Sequence, residues 1–214
     1  MSTATILNLA SRQLQDVTGR TWDQTTVLIP YLNLAVKEII NLKPDANPVT
    51  RTFALVAGAI QSIPATSLNL LDAVCNMGVG GATPGKSIVA LDKEQMDDIY
   101  PDWMTYTANS VVQFVIPDLR DPKHFYVFPP QPATPSQIKG IFSEYPTALA
   151  ATTETFPLDD SYEPAAVDYT IYRALIEETT VPNAVNKANV FFGKFMQDLG
   201  LKIQVEKQLE DKGK

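Results

Sequence analysis

Apolar residues recur at helical spacing near both ends of the chain, whereas the middle alternates with a period of two. In residues 3–18 an apolar position falls every three or four residues, which predicts an amphipathic helix. Thr21 followed by Gln24 predicts the cap of a second helix, which Pro44 ends. Pro30 removes one backbone hydrogen bond, so we expect this helix to kink or to start later. The two predicted apolar faces are Leu7, Ala10, Leu14 and Val17, then Leu28, Leu32, Ala35, Ile39 and Leu42.

The central part of the chain predicts short β-strands separated by prolines. Residues 51–56 and 59–63 alternate around Ala57-Gly58, which indicates a hairpin. Because proline is excluded from the interior of a ladder, we expect short strands. Apolar residues on both faces of 125–128 are typical of a strand in a small sandwich or barrel. Further strands are predicted at 70–77, 86–91, 111–116, 124–128 and 137–145, and a short helix at 93–99.

Helical periodicity returns after Asp159-Asp160 in two segments. The second begins at Pro182 or Asn183, and we expect Gly200 to break it. A helix with one apolar stripe cannot bury that stripe alone, so the terminal helices are predicted to pack together. The predicted stripes are Tyr162, Ala166, Tyr169, Arg173 and Ile176, then Ala184, Ala188, Phe191, Phe195 and Leu199.

These patterns predict an α+β fold in which a helical bundle carries an inserted β-rich lobe, sandwich-like or barrel-like. The predicted divisions are N-terminal bundle helices at 1–46, the β lobe with one short helix at 47–158, C-terminal bundle helices at 159–200, and a charged tail at 201–214.

Residues 80–87 match the G-x-x-x-x-G-K-S pattern of a phosphate-binding P-loop. A P-loop requires a helix that begins at its lysine, here Lys86. Residues 86–91 are short and β-branched, and a new helix cap follows at Asp92 and Gln95. We therefore interpret the glycine-rich segment as a turn between strands.

The amino-acid composition disfavours or excludes several classes of function and site. The net charge is −7 with no Lys/Arg run, which disfavours a general nucleic-acid binder. One cysteine, Cys75, excludes an intramolecular disulfide, and one histidine, His124, excludes a His-rich zinc site. No signal-like leader or membrane-length apolar run is present, and the carboxylate pairs fit helix caps and turns. We predict no catalytic residue, metal or cofactor.

A series of short motifs follows one another from about residue 5 to about residue 199. They lie at 31–40 (YLNLAVKEII), 42–46, 70–72, 76–78, 84–88, 100–103 (YPDW), 121–132 (DPKHFYVFPPQP) and 168–174 (DYTIYRA). In this order they resemble the head-to-tail adaptor (connector) proteins of short-tailed bacteriophages.

The resemblance implies a non-enzymatic virion protein, made in the bacterial cytoplasm. It implies a ring of twelve subunits between the portal protein and the tail nozzle protein, around a channel through which DNA passes without specific binding. It also implies that the tail docks on the portal, where Leu201, Ile203, Val205 and Leu209 are the candidate contacts. The alternative for the tail is a frayed, solvated terminus.

Tyr100 and Trp103 are candidate interface residues because aromatic side chains dominate interface energetics. The alternative for Trp103 is a place in the core. Two other function classes stay open at this stage: a β-rich binding or adhesin module with helical flanks, and a nucleotide hydrolase that uses Lys86.

Overall fold

Helices from the two chain ends and strands from the middle form two compact units in the computed structural model. The structure describes residues 2–178 and 183–212, of which 201–212 are described by their backbone alone. Residues 1–46 and 146–214 make up the helical unit, and residues 47–145 make up the β unit. The predicted α+β class is confirmed, with helices at both ends and strands between them.

The helical unit is organised around α4, which contacts the other three long helices. These elements are α1 (Thr3–Gln13), α2 (Ile29–Leu42), α4 (Glu163–Ile176) and α5 (Ala184–Lys212). Their buried side chains include Leu7, Leu32, Ile39, Ile171 and Phe195. Burial of these stripes is the main source of stability for helices of this length.

The α1–α2 connection departs from the sequence prediction. α1 ends at Gln13 rather than near residue 18, and Val17 is 71% exposed. The Asp16 carboxylate explains the difference because it accepts hydrogen bonds from three backbone N–H groups of the connection. The donors are Arg20, Thr21 and Trp22, at 3.0, 2.7 and 2.9 Å.

The cap of the second helix is Asp23, so the predicted Thr21 cap is wrong. The Asp23 carboxylate accepts hydrogen bonds from the backbone N–H groups of Thr25 and Thr26. A π-helical turn (Gln24–Leu28) leads into α2, and Pro30 lies in the first turn of α2. Regular α-helix thus begins at Ile29, after the π-helical turn, and Pro30 lies in its first turn, where a missing N–H is tolerated.

α5 passes through Gly200 without a break, so the predicted stop there is wrong. A glycine inside a helix costs only about 0.5–1 kcal/mol relative to alanine. Phe195 and Leu199, both buried, hold the preceding turns in place.

Residues 146–158, which the predicted boundaries assign to the β lobe, pack with the helices. The side-chain amide of Asn33 on α2 donates to Leu149 O and accepts from Leu149 N, at 2.9 and 2.8 Å. The backbone N–H groups of Thr3 and Ala4 donate to Glu154 O and Thr152 O.

Two sheets form the β unit. The first has the strand order β1-β7-β3, and the second has the order β2-β6-β5-β4. Apolar residues from both sheets share one core, in which the Phe53 ring meets Phe125 and Phe142 edge-on. The strands are β1 (Pro48–Ala54), β2 (Gly58–Ser62), β3 (Ser67–Gly78), β4 (Val89–Ala90), β5 (Phe114–Pro117), β6 (His124–Gln131) and β7 (Gln137–Glu144).

The predicted hairpin between 51–56 and 59–63 is wrong, because β1 and β2 belong to different sheets. The buried side chain of Gln61 stabilises the crossing. Its amide accepts from Val56 N and donates to Val56 O and Gly58 O, within 2.7–3.0 Å. The Gln61 side chain thus gives the backbone of Val56 and Gly58 the hydrogen-bond partners that the facing strand of a hairpin would have supplied.

β6 extends through Pro129 and Pro130, so the expectation that proline ends this strand is wrong. Both prolines lie beyond Phe128, which is the last β6 residue paired with β5. On the other side of β6 they lie where the register against β2 shifts. Neither proline is therefore required to donate to a ladder.

Candidate interaction surfaces

The outer face of the second sheet is covered by α3 (Lys93–Ile99) and a short 3-10 helix (Trp103–Thr105). α3 begins as predicted, with a capping box formed by Asp92 and Gln95. Met96 and Trp103 are buried against Ile116, Tyr126 and Phe128 of the sheet.

Trp103 occupies the centre of this packing and is only 1% exposed. Its indole Nε1 donates to Asp97 Oδ1 at 2.8 Å, and its ring meets Tyr126 edge-on at 5.4 Å. Asp97 also binds Lys93, and these two donors, Lys93 first, hold the pKa of Asp97 below its usual range. Trp103 thus holds α3 and the 3-10 helix on the sheet from beneath.

Tyr100 lies nearer the surface and joins an aromatic stack. Its ring stacks on Phe128 at 4.8 Å, and Tyr106 contacts both rings at 6.1 and 5.2 Å. Ile99, Met104 and Tyr106 are 57%, 46% and 51% exposed. We call Ile99, Tyr100, Met104 and Tyr106 the aromatic patch. The sequence analysis missed three of its members, although the density of large apolar residues at 99–106 was a visible signal.

The aromatic patch lies in an anionic stretch of sequence. No lysine or arginine occurs between Lys93 and Arg120. Asp98 and Asp102 are exposed in the same stretch of chain, and neither carboxylate has a cationic partner in the part of the chain that the structure describes. The surface therefore combines apolar area with uncompensated negative charge.

A groove of about 650 Å³ in the helical unit has a mixed polar and apolar lining. Leu14, Trp22 and Leu175 are buried side chains that line it, and Phe191 adds a half-buried ring. Arg20 and Lys187 line it as well. Neither cation binds a carboxylate within residues 2–178 and 183–200. We call this feature the loop groove.

The loop groove owes its shape to Asp16. Its carboxylate accepts from Trp22, Thr21 and Arg20, and these bonds hold the pKa of Asp16 below its usual range. The lowered pKa keeps Asp16 ionised, so the loop groove carries one carboxylate as well as the two cations Arg20 and Lys187.

The glycine-rich segment does not form a P-loop. Gly85 N donates to Asn76 O and Asn76 N donates to Lys86 O, at 2.7 and 2.9 Å, so the segment returns along β3. No helix begins at Lys86; the next described helix begins at Lys93. The turn interpretation is confirmed, although the predicted strand 86–91 is reduced to Val89–Ala90.

Asn76, which the sequence analysis did not single out as a functional or structural residue, organises this return. Its buried side chain donates to Lys86 O and Val112 O and accepts from Val112 N, at 3.0, 2.8 and 2.8 Å. A polar residue inside an apolar strand gives no sign in sequence of which distant backbone groups it will bind.

The candidate portal contacts Leu201, Ile203, Val205 and Leu209 lie on the last turns of α5. The structure describes their helical backbone, and their side chains lie outside the described part of the chain. Their role in docking stays a prediction.

Among the described residues, no helix is both long enough and apolar enough to cross a membrane.

Comparison with known proteins identifies a family for this chain. No curated protein sequence matches the chain. The family model described as SU10 adaptor protein matches residues 1–212. Since this match spans almost the entire sequence, the chain belongs to the SU10 adaptor protein family, in agreement with its resemblance to phage head-to-tail adaptors.

Proposed function

We propose that this protein is a structural subunit of a ring that joins the portal to the tail nozzle of a bacteriophage. The observation that carries the proposal is the family match over residues 1–212. In this role the protein contributes surfaces rather than a reaction centre, and DNA passes through the ring without sequence-specific contacts.

The charge of the chain supports a channel role. A net charge of −7 gives DNA phosphates few cations to bind, and few counterions are released on contact. DNA held in this way slides more readily than DNA held by a basic lining.

The division into two units supports a ring role. A closed ring needs two different, complementary faces on each subunit. The aromatic patch lies in the β unit and the loop groove lies in the helical unit, so the chain offers separate surfaces for separate neighbours.

The tail supplies the proposed portal contact. α5 continues as a helix to Lys212, beyond the last described buried side chain at Leu199. Leu201, Ile203, Val205 and Leu209 would dock on the portal.

The test is deletion of residues 201–214. The truncated subunit should keep the circular dichroism spectrum of a folded protein and lose attachment to the purified portal, measured as co-sedimentation and as a ring in electron micrographs. Lys86→Ala is the matched control: it should attach like the wild type, and it should bind nucleotide no differently. Unchanged attachment of the truncated subunit would reject the role of the tail, and failure of the full chain to attach would reject the adaptor proposal.

A further inference from the structure

The aromatic patch presents apolar side chains in a stretch of chain whose exposed carboxylates have no cationic partner among the described residues. Ile99, Met104 and Tyr106 are about half exposed, and Asp98 and Asp102 lie in the same stretch of chain. A surface of this kind favours a partner that offers an apolar recess with cations, because charge complementarity selects partners and fixes register.

The loop groove offers both apolar side chains and two cations, within a lining that is otherwise largely polar. Its volume of about 650 Å³ falls in the range of about 300–1,000 Å³ that is usual for binding pockets. Leu14, Trp22 and Phe191 can receive apolar side chains, and Arg20 and Lys187 can bind two carboxylates. Arginine and lysine at the edge of an apolar recess are well suited to carboxylates next to an aromatic anchor.

We propose that the aromatic patch of one subunit docks into the loop groove of a second copy of this chain. Ile99, Met104 and Tyr106 enter the groove, and Asp98 and Asp102 pair with Arg20 and Lys187 of the neighbour. This inference rests on the ring role proposed above and names the two surfaces that would build the ring. Trp103 acts as a positioning residue that holds the patch in place from the core.

The two surfaces differ in chemistry, so the contact is heterologous. A heterologous contact cannot end at a dimer: it continues until rotation closes a ring or an open filament grows. Both surfaces are rigidly supported, the patch by the Tyr100–Phe128 stack and the groove by the Asp16 hydrogen bonds. Little conformational entropy is therefore lost on docking.

Reciprocal charge reversal tests the pairing in the full-length chain. Arg20→Glu with Lys187→Glu, or Asp98→Lys with Asp102→Lys, should each raise the subunit concentration needed for half-assembly on the portal at least about tenfold. All four changes in one chain should bring that concentration back to within about threefold of wild type. Lys86→Glu with Asp72→Lys, two exposed charges outside both surfaces, should leave assembly unchanged. All four changes failing to rescue assembly, with circular dichroism showing a folded subunit, would overturn the inference.

Disulfide trapping gives an independent measurement. In a Cys75→Ser background, a Thr21→Cys subunit is mixed with a Thr105→Cys subunit on the portal and oxidised. A heterodimer band in non-reducing electrophoresis is expected from the mixture and from neither subunit alone. Rings of normal mass without this band would overturn the inference and leave the adaptor proposal standing. A wild-type chain that neither assembles nor binds the portal would overturn both.

Discussion

At the scale of single residues, Asn76 carries more of the structure than its position in an apolar strand suggests. Its side chain satisfies the backbone of Val112 in both directions and Lys86 O as well. A buried group that loses its hydrogen-bond partner costs about 1–3 kcal/mol, because water cannot replace the partner.

Asn76→Ala should therefore lower the free energy of unfolding by about 3 kcal/mol, measured by urea denaturation. Asn189→Ala, an exposed asparagine on α5, is the matched control and should change it by less than about 0.5 kcal/mol. Equal effects of the two substitutions would show that the Asn76 hydrogen bonds add nothing to stability.

A second residue-scale effect comes from Asp168 on α4. Partial burial, reinforced by the charge of Asp198 and opposed by Lys194, raises the pKa of Asp168 from 3.8 to about 6. The folded chain thus keeps this proton at a pH where the unfolded chain has released it. The contribution of this carboxyl to the free energy of unfolding should fall as pH rises from about 4 to about 6.

Asp168→Asn should remove this contribution. Its thermal midpoint should exceed that of the wild type at pH 8 and match it near pH 4, as measured by calorimetry. We expect a gain of about 1 kcal/mol at pH 8, since solvent screens a half-buried carboxyl. Asp72→Asn, at an exposed site, removes the same charge and is the matched control for the change in net charge. A parallel profile for Asp168→Asn and the wild type would contradict this account.

At the scale of elements, aromatic side chains hold α5 against α4. The Phe195 ring is buried and lies 5.0 Å from Tyr169, and Tyr172 lies 5.0 Å from Phe192. These rings join α5 to α4 in the turns of α5 that precede Gly200.

Phe195→Ala should lower the free energy of unfolding by about 3–5 kcal/mol, through lost apolar burial and the cavity left behind. Met196→Ala changes the next residue on α5, which is largely exposed, and should cost less than about 1 kcal/mol. Urea titration followed by circular dichroism at 222 nm measures both. A similar cost for both would contradict the packing described for α5.

The helices and strands also show which features of the fold the sequence pattern predicts and which it does not. Periodicity predicted all four bundle helices and the strands β3, β6 and β7. Burial of one face of an element repeats its apolar residues at the period of that element, and this repeat is visible in the sequence. It missed the separation of β1 from β2, because a Gln61 side chain decides that crossing. It wrongly predicted a helix break at Gly200, where the burial of Phe195 and Leu199 outweighs the weak helix propensity of glycine.

The same limit applies to the candidate surfaces. The sequence predicts Tyr100 as a candidate interface residue. It does not predict the exposure of Tyr106, which depends on how the 3-10 helix lies on the sheet. The loop groove depends on Asp16 folding the α1–α2 connection, a contact that helical spacing cannot reveal.

At the scale of the whole molecule, the β unit has a core made from its own residues. Every residue of the two apolar clusters in the β unit falls between 47 and 145. The fragment 47–145 should therefore fold alone and unfold cooperatively on heating, with dispersed amide signals in its NMR spectrum. A fragment with collapsed amide signals and no thermal transition would show that it depends on the helices.

The strand pairing has one more consequence. Pro48 and Ser143 are partners in the β1–β7 ladder, so the chain leaves and re-enters the helical scaffold at neighbouring points. Such an insertion behaves as a cassette. A foreign domain whose termini lie equally close could take its place without reconnecting a single helix, which gives evolution, or a protein engineer, freedom to exchange what the scaffold displays.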